Sequence, residues 1–155
     1  MAHIVEILTS VSPAHPMESR VSIRAIAGRG LEGDRYFAGA GTFSPRPPKP
    51  DHELTLVESE ALAAFSAESS LPFTGRDARR NIVTAGVRLN DLVGVEFFLG
   101  PVRVRGLRLC EPCNYLARQT HAAILRGLVH RGGLRAQILA DGLLRVGDPV
   151  NLSAS

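Results

Sequence analysis

The chain has no Trp, and aromatic residues make up 5% of its 155 positions. So few rings argue against a broad stacking platform for single-stranded nucleic acid. Lysine is almost absent too: Lys49 is the only one, and the basic side is otherwise Arg. Two cysteines, Cys110 and Cys113, are too few for the disulfide framework of a secreted domain. No apolar run reaches the roughly 18 residues that a membrane-spanning helix needs. Residues 1–9 lack a basic n-region and are interrupted by Glu6, so they do not read as a signal peptide. The expectation is a cytoplasmic protein with neither a membrane nor a nucleic-acid partner.

What is present is an ordinary globular composition, 45% hydrophobic and 21% charged, with a net charge of +3. The length suits a single domain over residues 1–155 with a real core. Arginine offers a planar fork that pairs with carboxylates, phosphates and oxoanions. Along the sequence the positive charge reads as scattered rather than gathered into a stripe.

The pattern is mostly strand. His3 to Leu8, Val21 to Ala27, Glu53 to Val57, Asn81 to Thr84, Val95 to Leu99, Val102 to Leu109, Leu134 to Ala140 and Val150 to Leu152 read as strands. Gly100-Pro101 marks a hairpin. Ala61, Leu62 and Phe65 recur at helical spacing, which predicts a helix over Glu58 to Ser69. Gly75 to Arg80 reads as a turn or short helix, and Cys113 to Val129 as one or two short helices. Tyr36 to Pro50, rich in Gly and Pro, reads as a long mobile loop near the mouth of a pocket. Many short strands with Gly-rich turns point to a mainly β protein, a β-barrel with a few short helices.

Four segments could carry chemistry. In Leu109-Cys110-Glu111-Pro112-Cys113 a strand runs into a helix, and Pro suits the first helical turn, so Cys113 is expected at the helix start. A thiolate is favoured there by the helix dipole, with Arg108 and Arg118 adding to the effect. The alternative is a pair of small buried hydrophobes. Such thiols serve dithiol–disulfide exchange, zinc binding, or a single soft thiolate that ligates a metal or carries sulfur. No βαβ context is apparent for thioredoxin-type exchange, and His121 and His130 do not complete a standard zinc spacing. The second segment is Ala78-Arg79-Arg80-Asn81. On an extended chain Arg79 and Asn81 would face inward as an anion cradle, with Arg80 turned away; two solvated surface arginines are the equal alternative. The third is Gly30-Leu31-Glu32-Gly33-Asp34-Arg35-Tyr36, where Asp34 and Arg35 form a structural pair or face a site. The fourth, Arg131-Gly132-Gly133-Leu134-Arg135-Ala136 with Gly142 and Gly147-Asp148, reads as a turn and the last hairpin.

Together these pieces, with Leu89-Asn90-Asp91-Leu92-Val93-Gly94, occur in the order seen in the MOSC domain, which the chain resembles over about residues 3 to 152. The MOSC domain is the C-terminal module of molybdenum cofactor sulfurases and also a stand-alone bacterial protein. The resemblance implies a MOSC or pyruvate-kinase-barrel-like fold with a pocket at one end. It implies a cysteine that carries sulfur or ligates molybdenum, matching Cys113, and a pocket Arg and Asn matching Arg79 and Asn81. Arg80, Arg35 and His52 complete the candidate cofactor-binding set, and Cys110 is an accessory thiol that many relatives lack. Where relatives often carry a small hydroxyl residue, this chain has Glu111, an acidic neighbour that opposes an anionic centre. The pyridoxal phosphate chemistry of the sulfurases belongs to a separate domain that this sequence does not contain.

Three activities follow as expectations. The first is a molybdenum cofactor (molybdopterin) oxidoreductase that reduces small N-hydroxylated compounds with electrons from a separate redox partner. The second is a sulfur carrier, with a Cys113 persulfide received from a cysteine desulfurase and passed to a molybdoenzyme. The third, from another class, is a dithiol–disulfide oxidoreductase using Cys110 and Cys113.

Overall fold

A computed structural model of the chain describes residues 1–38, 49–110 and 131–153. Within them the protein is mainly β. The strands are β1 (His3–Thr9), β2 (Glu18–Arg20), β3 (Ser22–Ile26), β4 (Gly30–Leu31), β5 (Leu54–Glu58), β6 (Ile82–Ala85), β7 (Glu96–Leu99), β8 (Val102–Leu109), β9 (Leu134–Ile138), β10 (Gly142–Arg145) and β11 (Val150–Asn151). Helix α1 spans Ser59–Ser69 and α2 spans Gly75–Ala78, and 3-10 turns cover Pro50–His52 and Leu89–Leu92.

Eight strands form one sheet in the order β11-β7-β8-β9-β5-β6-β1-β2. The sheet curls until β1 meets the β11 end. The Ile4 amide donates to the Asp148 carbonyl at 2.9 Å, Gly147 to Ile4 at 2.8 Å, and Val150 to Ala2 at 3.0 Å. This closure satisfies backbone groups that two open edges would leave unpaired. A second sheet, β10-β3-β4, lies alongside.

Alternation fills the barrel. On β8, Val102 and Val104 are fully buried while Arg103 and Arg105 point out; on β9, Leu134, Ala136 and Ile138 are buried. With Ile4, Ile7, Leu54, Leu56 and Phe97 they make the main core. A second core lies under α1, where Leu62 and Phe65 pack with Leu8, Val57, Val83 and Phe73. Phe65 and Phe73 meet edge-on, with ring centroids 5.3 Å apart. Each such side chain stabilises the fold by about 1.5–3 kcal/mol through burial.

Strands β5 and β6 are parallel and joined through α1 and α2. The chain therefore does contain one βαβ unit, because parallel neighbours need a long crossover. Both cysteines follow β8 instead, so the unit gives no thioredoxin-type setting. Strands β2, β4 and β10 lie outside the segments expected to be strands. The Gly142–Arg145 segment has no polar–apolar alternation, and its pairing with β3 decides its conformation. The expected helices over Cys113 to Val129 and most of the expected loop over Tyr36 to Pro50 lie outside the described residues. Within that loop the described ends are a turn through Tyr36 and the Pro50–His52 turn.

Candidate functional site

The end of β8 is held from two sides, by the turn before β9 and by Arg80. The Cys110 amide donates to the Gly133 carbonyl at 2.7 Å, and the Cys110 side chain is buried. Arg80, itself buried, donates from Nη2 to the Cys110 carbonyl at 3.1 Å, from Nε to the Gly132 carbonyl at 2.9 Å and from Nη1 to the Ala78 carbonyl at 3.1 Å. One guanidinium thus ties α2, the end of β8 and the turn before β9 together with charge-assisted bonds. Glycine is required in that turn: Gly133 has φ +117°, and a Cβ there would run into the Leu56 carbonyl.

This arrangement reverses the expected orientation of the two arginines. Arg79 ends α2 in the left-handed region, φ 57°, so the chain is not extended there and strand alternation does not apply. Arg80 is therefore the residue carried to Cys110. Arg79 instead donates to the His15 and Ser12 carbonyls at 3.0 and 3.4 Å. It borders an open groove of about 370 Å³ with Pro13, Ala14, Met17 and Arg76. Asn81 is buried, and its amide is engaged in the frame. Its Oδ1 accepts from the Thr55 amide at 3.2 Å and hydroxyl at 3.1 Å, and its Nδ2 donates to the Leu8 carbonyl at 3.2 Å.

Arg35 and Asp34 form a buried pair at 3.2 Å, as the structural reading expects. Asp34 also accepts from the Ser10 amide at 3.0 Å, and Arg35 reaches the Arg79 carbonyl at 3.5 Å. The Arg35 guanidinium lies 4.8 Å from the Tyr36 ring centre, and that ring lies 6.0 Å from His52. His52 Nδ1 is 2.8 Å from Asp51 Oδ1, and Asp51 Oδ2 accepts from Arg108 Nε at 2.8 Å. The contacts fall into two groups: Arg35, Tyr36, His52, Asp51 and Arg108 follow one another, and Arg80 meets Cys110, while Arg79 and Asn81 turn to other partners.

Two residues of this region were not singled out as cofactor-binding by sequence. Arg135, on β9, is the cross-strand partner of both Thr55 and Arg108, so the three share the outer face of the sheet. Arg135 Nη1 donates to the Asp51 carbonyl at 3.3 Å, while its Nε is buried without an acceptor. An orphaned guanidinium N–H beside a second arginine is the described feature most suited to receive an anion. Burial alone would raise the Asp51 carboxyl, but the hydrogen bonds from Arg108 and His52 outweigh it and hold the group below its ordinary 3.8. Burial pushes Glu53 up, against hydrogen bonds from the Ile138 and Gly28 amides.

Cys113, Glu111, Arg118, His121 and His130 lie outside the described residues. Among those described, no three His, Cys, Asp or Glu side chains converge as a metal site, and no helix is long and apolar enough to cross a membrane.

The MOSC domain profile matches residues 38–151, well over half of the chain. No curated protein matches it in sequence. Among solved structures, the YUAD protein from Bacillus subtilis is similar with a TM-score of 0.80 at 15% identity, over 97% of this chain and 94% of that one. YiiM from Geobacillus stearothermophilus gives 0.72 at 15% identity, over 97% and 74%. YiiM from Escherichia coli gives 0.71 at 18% identity, over 100% and 71%. At these identities the likeness is one of fold.

Proposed function

Since the chain belongs to the MOSC domain family, we propose that it works on the molybdenum cofactor, either holding it or carrying sulfur for it through Cys113. The observation that carries this reading is the Arg80 clamp: the chain leaves β8 for Cys113 from the Cys110 carbonyl, which Arg80 holds while the same guanidinium is bonded to Ala78 and Gly132. A reactive side chain is placed reproducibly only when the backbone before it is rigid. Arg80 and Asn81 are positioning residues in this account.

The described residues fit an anionic cofactor through Arg135 and Arg108, whose donors are not all engaged, with His52 adjoining them through Asp51. When bound, the cofactor supplies two-electron redox chemistry at molybdenum. The chain supplies the soft thiolate of Cys113 as ligand and cationic groups that offset negative charge. In the sulfur-carrier form, the Cys113 thiolate attacks the terminal sulfur of a donor's persulfide, a new S–S bond forms, and the donor's thiolate leaves. Either form requires a second protein, to bring electrons or sulfur.

Metal and sulfur analysis of protein from a cofactor-competent host tests the reading. Stoichiometric molybdenum supports the cofactor form, and cyanide-labile sulfur without molybdenum supports the carrier. Neither, together with a reversible Cys110–Cys113 disulfide, would establish the dithiol reading instead.

A further inference from the structure

On β8 three arginines share the outer face. Arg103 and Arg105 alternate with buried Val102 and Val104. The register of β8 against β9 then shifts between Gly106 and Arg108, and the extra residue keeps Arg108 on that face beside Arg135. All three side chains are about half exposed, at 49%, 43% and 53%. Charge that reads as scattered in the sequence is gathered into a row by strand alternation and one bulge. The nearby compensation is small: Glu96 serves both Arg103, at 3.7 Å, and Arg105, at 2.6 Å, and Asp51 serves Arg108.

We propose that this face of β7 and β8 is the docking surface for an acidic protein, the partner that brings sulfur or electrons to the site. The inference rests on the function proposed above for its purpose, but not for its geometry. The row points along β8 to Cys110. At about 3.4 Å per residue, Arg108 lies about 7 Å and Arg105 about 17 Å before it. A partner seated on the row is therefore held next to the segment that carries Cys113. Its complement is a patch of carboxylates, which steer encounter and fix orientation without a large apolar interface. Nucleic acid fits less well. Glu96 sits within the row, where it would repel phosphates, and the one aromatic residue paired beside it, Phe98, is half-buried and offers little stacking surface.

The test uses a fluorescent polyglutamate peptide as the acidic-protein probe, with a DNA oligonucleotide and anionic vesicles as further arms. Wild type is compared with Arg103→Gln/Arg105→Gln and with Arg24→Gln/Arg88→Gln, which removes two exposed charges elsewhere. The expected result is peptide binding that weakens roughly tenfold in the first variant and less than about twofold in the second, and that falls steeply from about 50 to about 300 mM salt. Equal loss in both variants, absence of binding, or preferential binding of the oligonucleotide or vesicles through the same two arginines would overturn the proposal. Molybdenum content, measured on the same proteins, should be the same in wild type and both variants. A loss of loading in every protein would count against the function proposed above and leave the docking result standing.

Discussion

Arg80→Ala should destabilise the protein far more than the loss of a surface cation does. The guanidinium is buried and donates to three carbonyls, those of Ala78, Cys110 and Gly132. A hydrogen bond to a charged group contributes about 1.5–3 kcal/mol, and carbonyls left without a donor add part of their desolvation cost. Against this, the mutant no longer has to bury a charge. The net loss should be about 3–5 kcal/mol, a large fraction of the roughly 5–15 kcal/mol that holds a domain together. With a urea slope near 2 kcal/mol/M, the midpoint should fall by roughly 1.5–2.5 M. A local readout accompanies the global one. In a Cys113→Ser background, Cys110 should resist a thiol reagent in the Arg80 protein and react in the Arg80→Ala protein under native conditions. Arg80→Lys should recover only part of the stability, since an ammonium cannot reproduce the planar fork. A midpoint change under about 0.5 M, with Cys110 still protected, would refute the clamp.

Gly133→Ala should cost more than about 2 kcal/mol, because both the positive φ and the Leu56 carbonyl oppose a side chain; Gly28→Ala, with open space around it, should cost about 1 kcal/mol by urea titration. Glu53 binds its proton more tightly in the fold than in the unfolded chain, so its contribution to stability declines as pH rises from its ordinary 4.5 through its raised folded value. Glu53→Gln should flatten that decline in melting temperature against pH; an unchanged slope would show that Glu53 does not titrate abnormally. Asp51 has the opposite sign: its pairing with Arg108 and His52 stabilises the fold above the ordinary 3.8 and is lost as pH falls through the lower folded value. Asp51→Asn should therefore be less stable than wild type at neutral pH, with the difference vanishing in strong acid.

The barrel was legible because its strands obey simple rules. Val102-Arg103-Val104-Arg105 alternates cleanly, and Gly100-Pro101 closes its hairpin as expected. What could not be read depended on single backbone conformations and on distant partners. A left-handed Arg79 has no sequence signature, since arginine is not a residue that usually adopts it, yet it decides which arginine meets Cys110. The bulge before Arg108 is equally silent, yet it completes the row of arginines. Arg135 falls in a segment expected to be a strand, but only the pairing sets it between Thr55 and Arg108. Asn81 joins β5 to β1 through the Thr55 amide and the Leu8 carbonyl, partners that lie 26 and 73 residues away in sequence.

The most direct test of the account is loading of the two single cysteine mutants, purified from a cofactor-competent host and assayed for molybdenum and cyanide-labile sulfur per chain. Cys110→Ser should load like the wild type, because Cys110 serves through its backbone, which accepts from Arg80 and donates to Gly133. Cys113→Ser should load neither. Full loading in Cys113→Ser, or equal and complete loss in both mutants, would contradict the claim that Cys113 acts alone at the end of an Arg80-clamped strand.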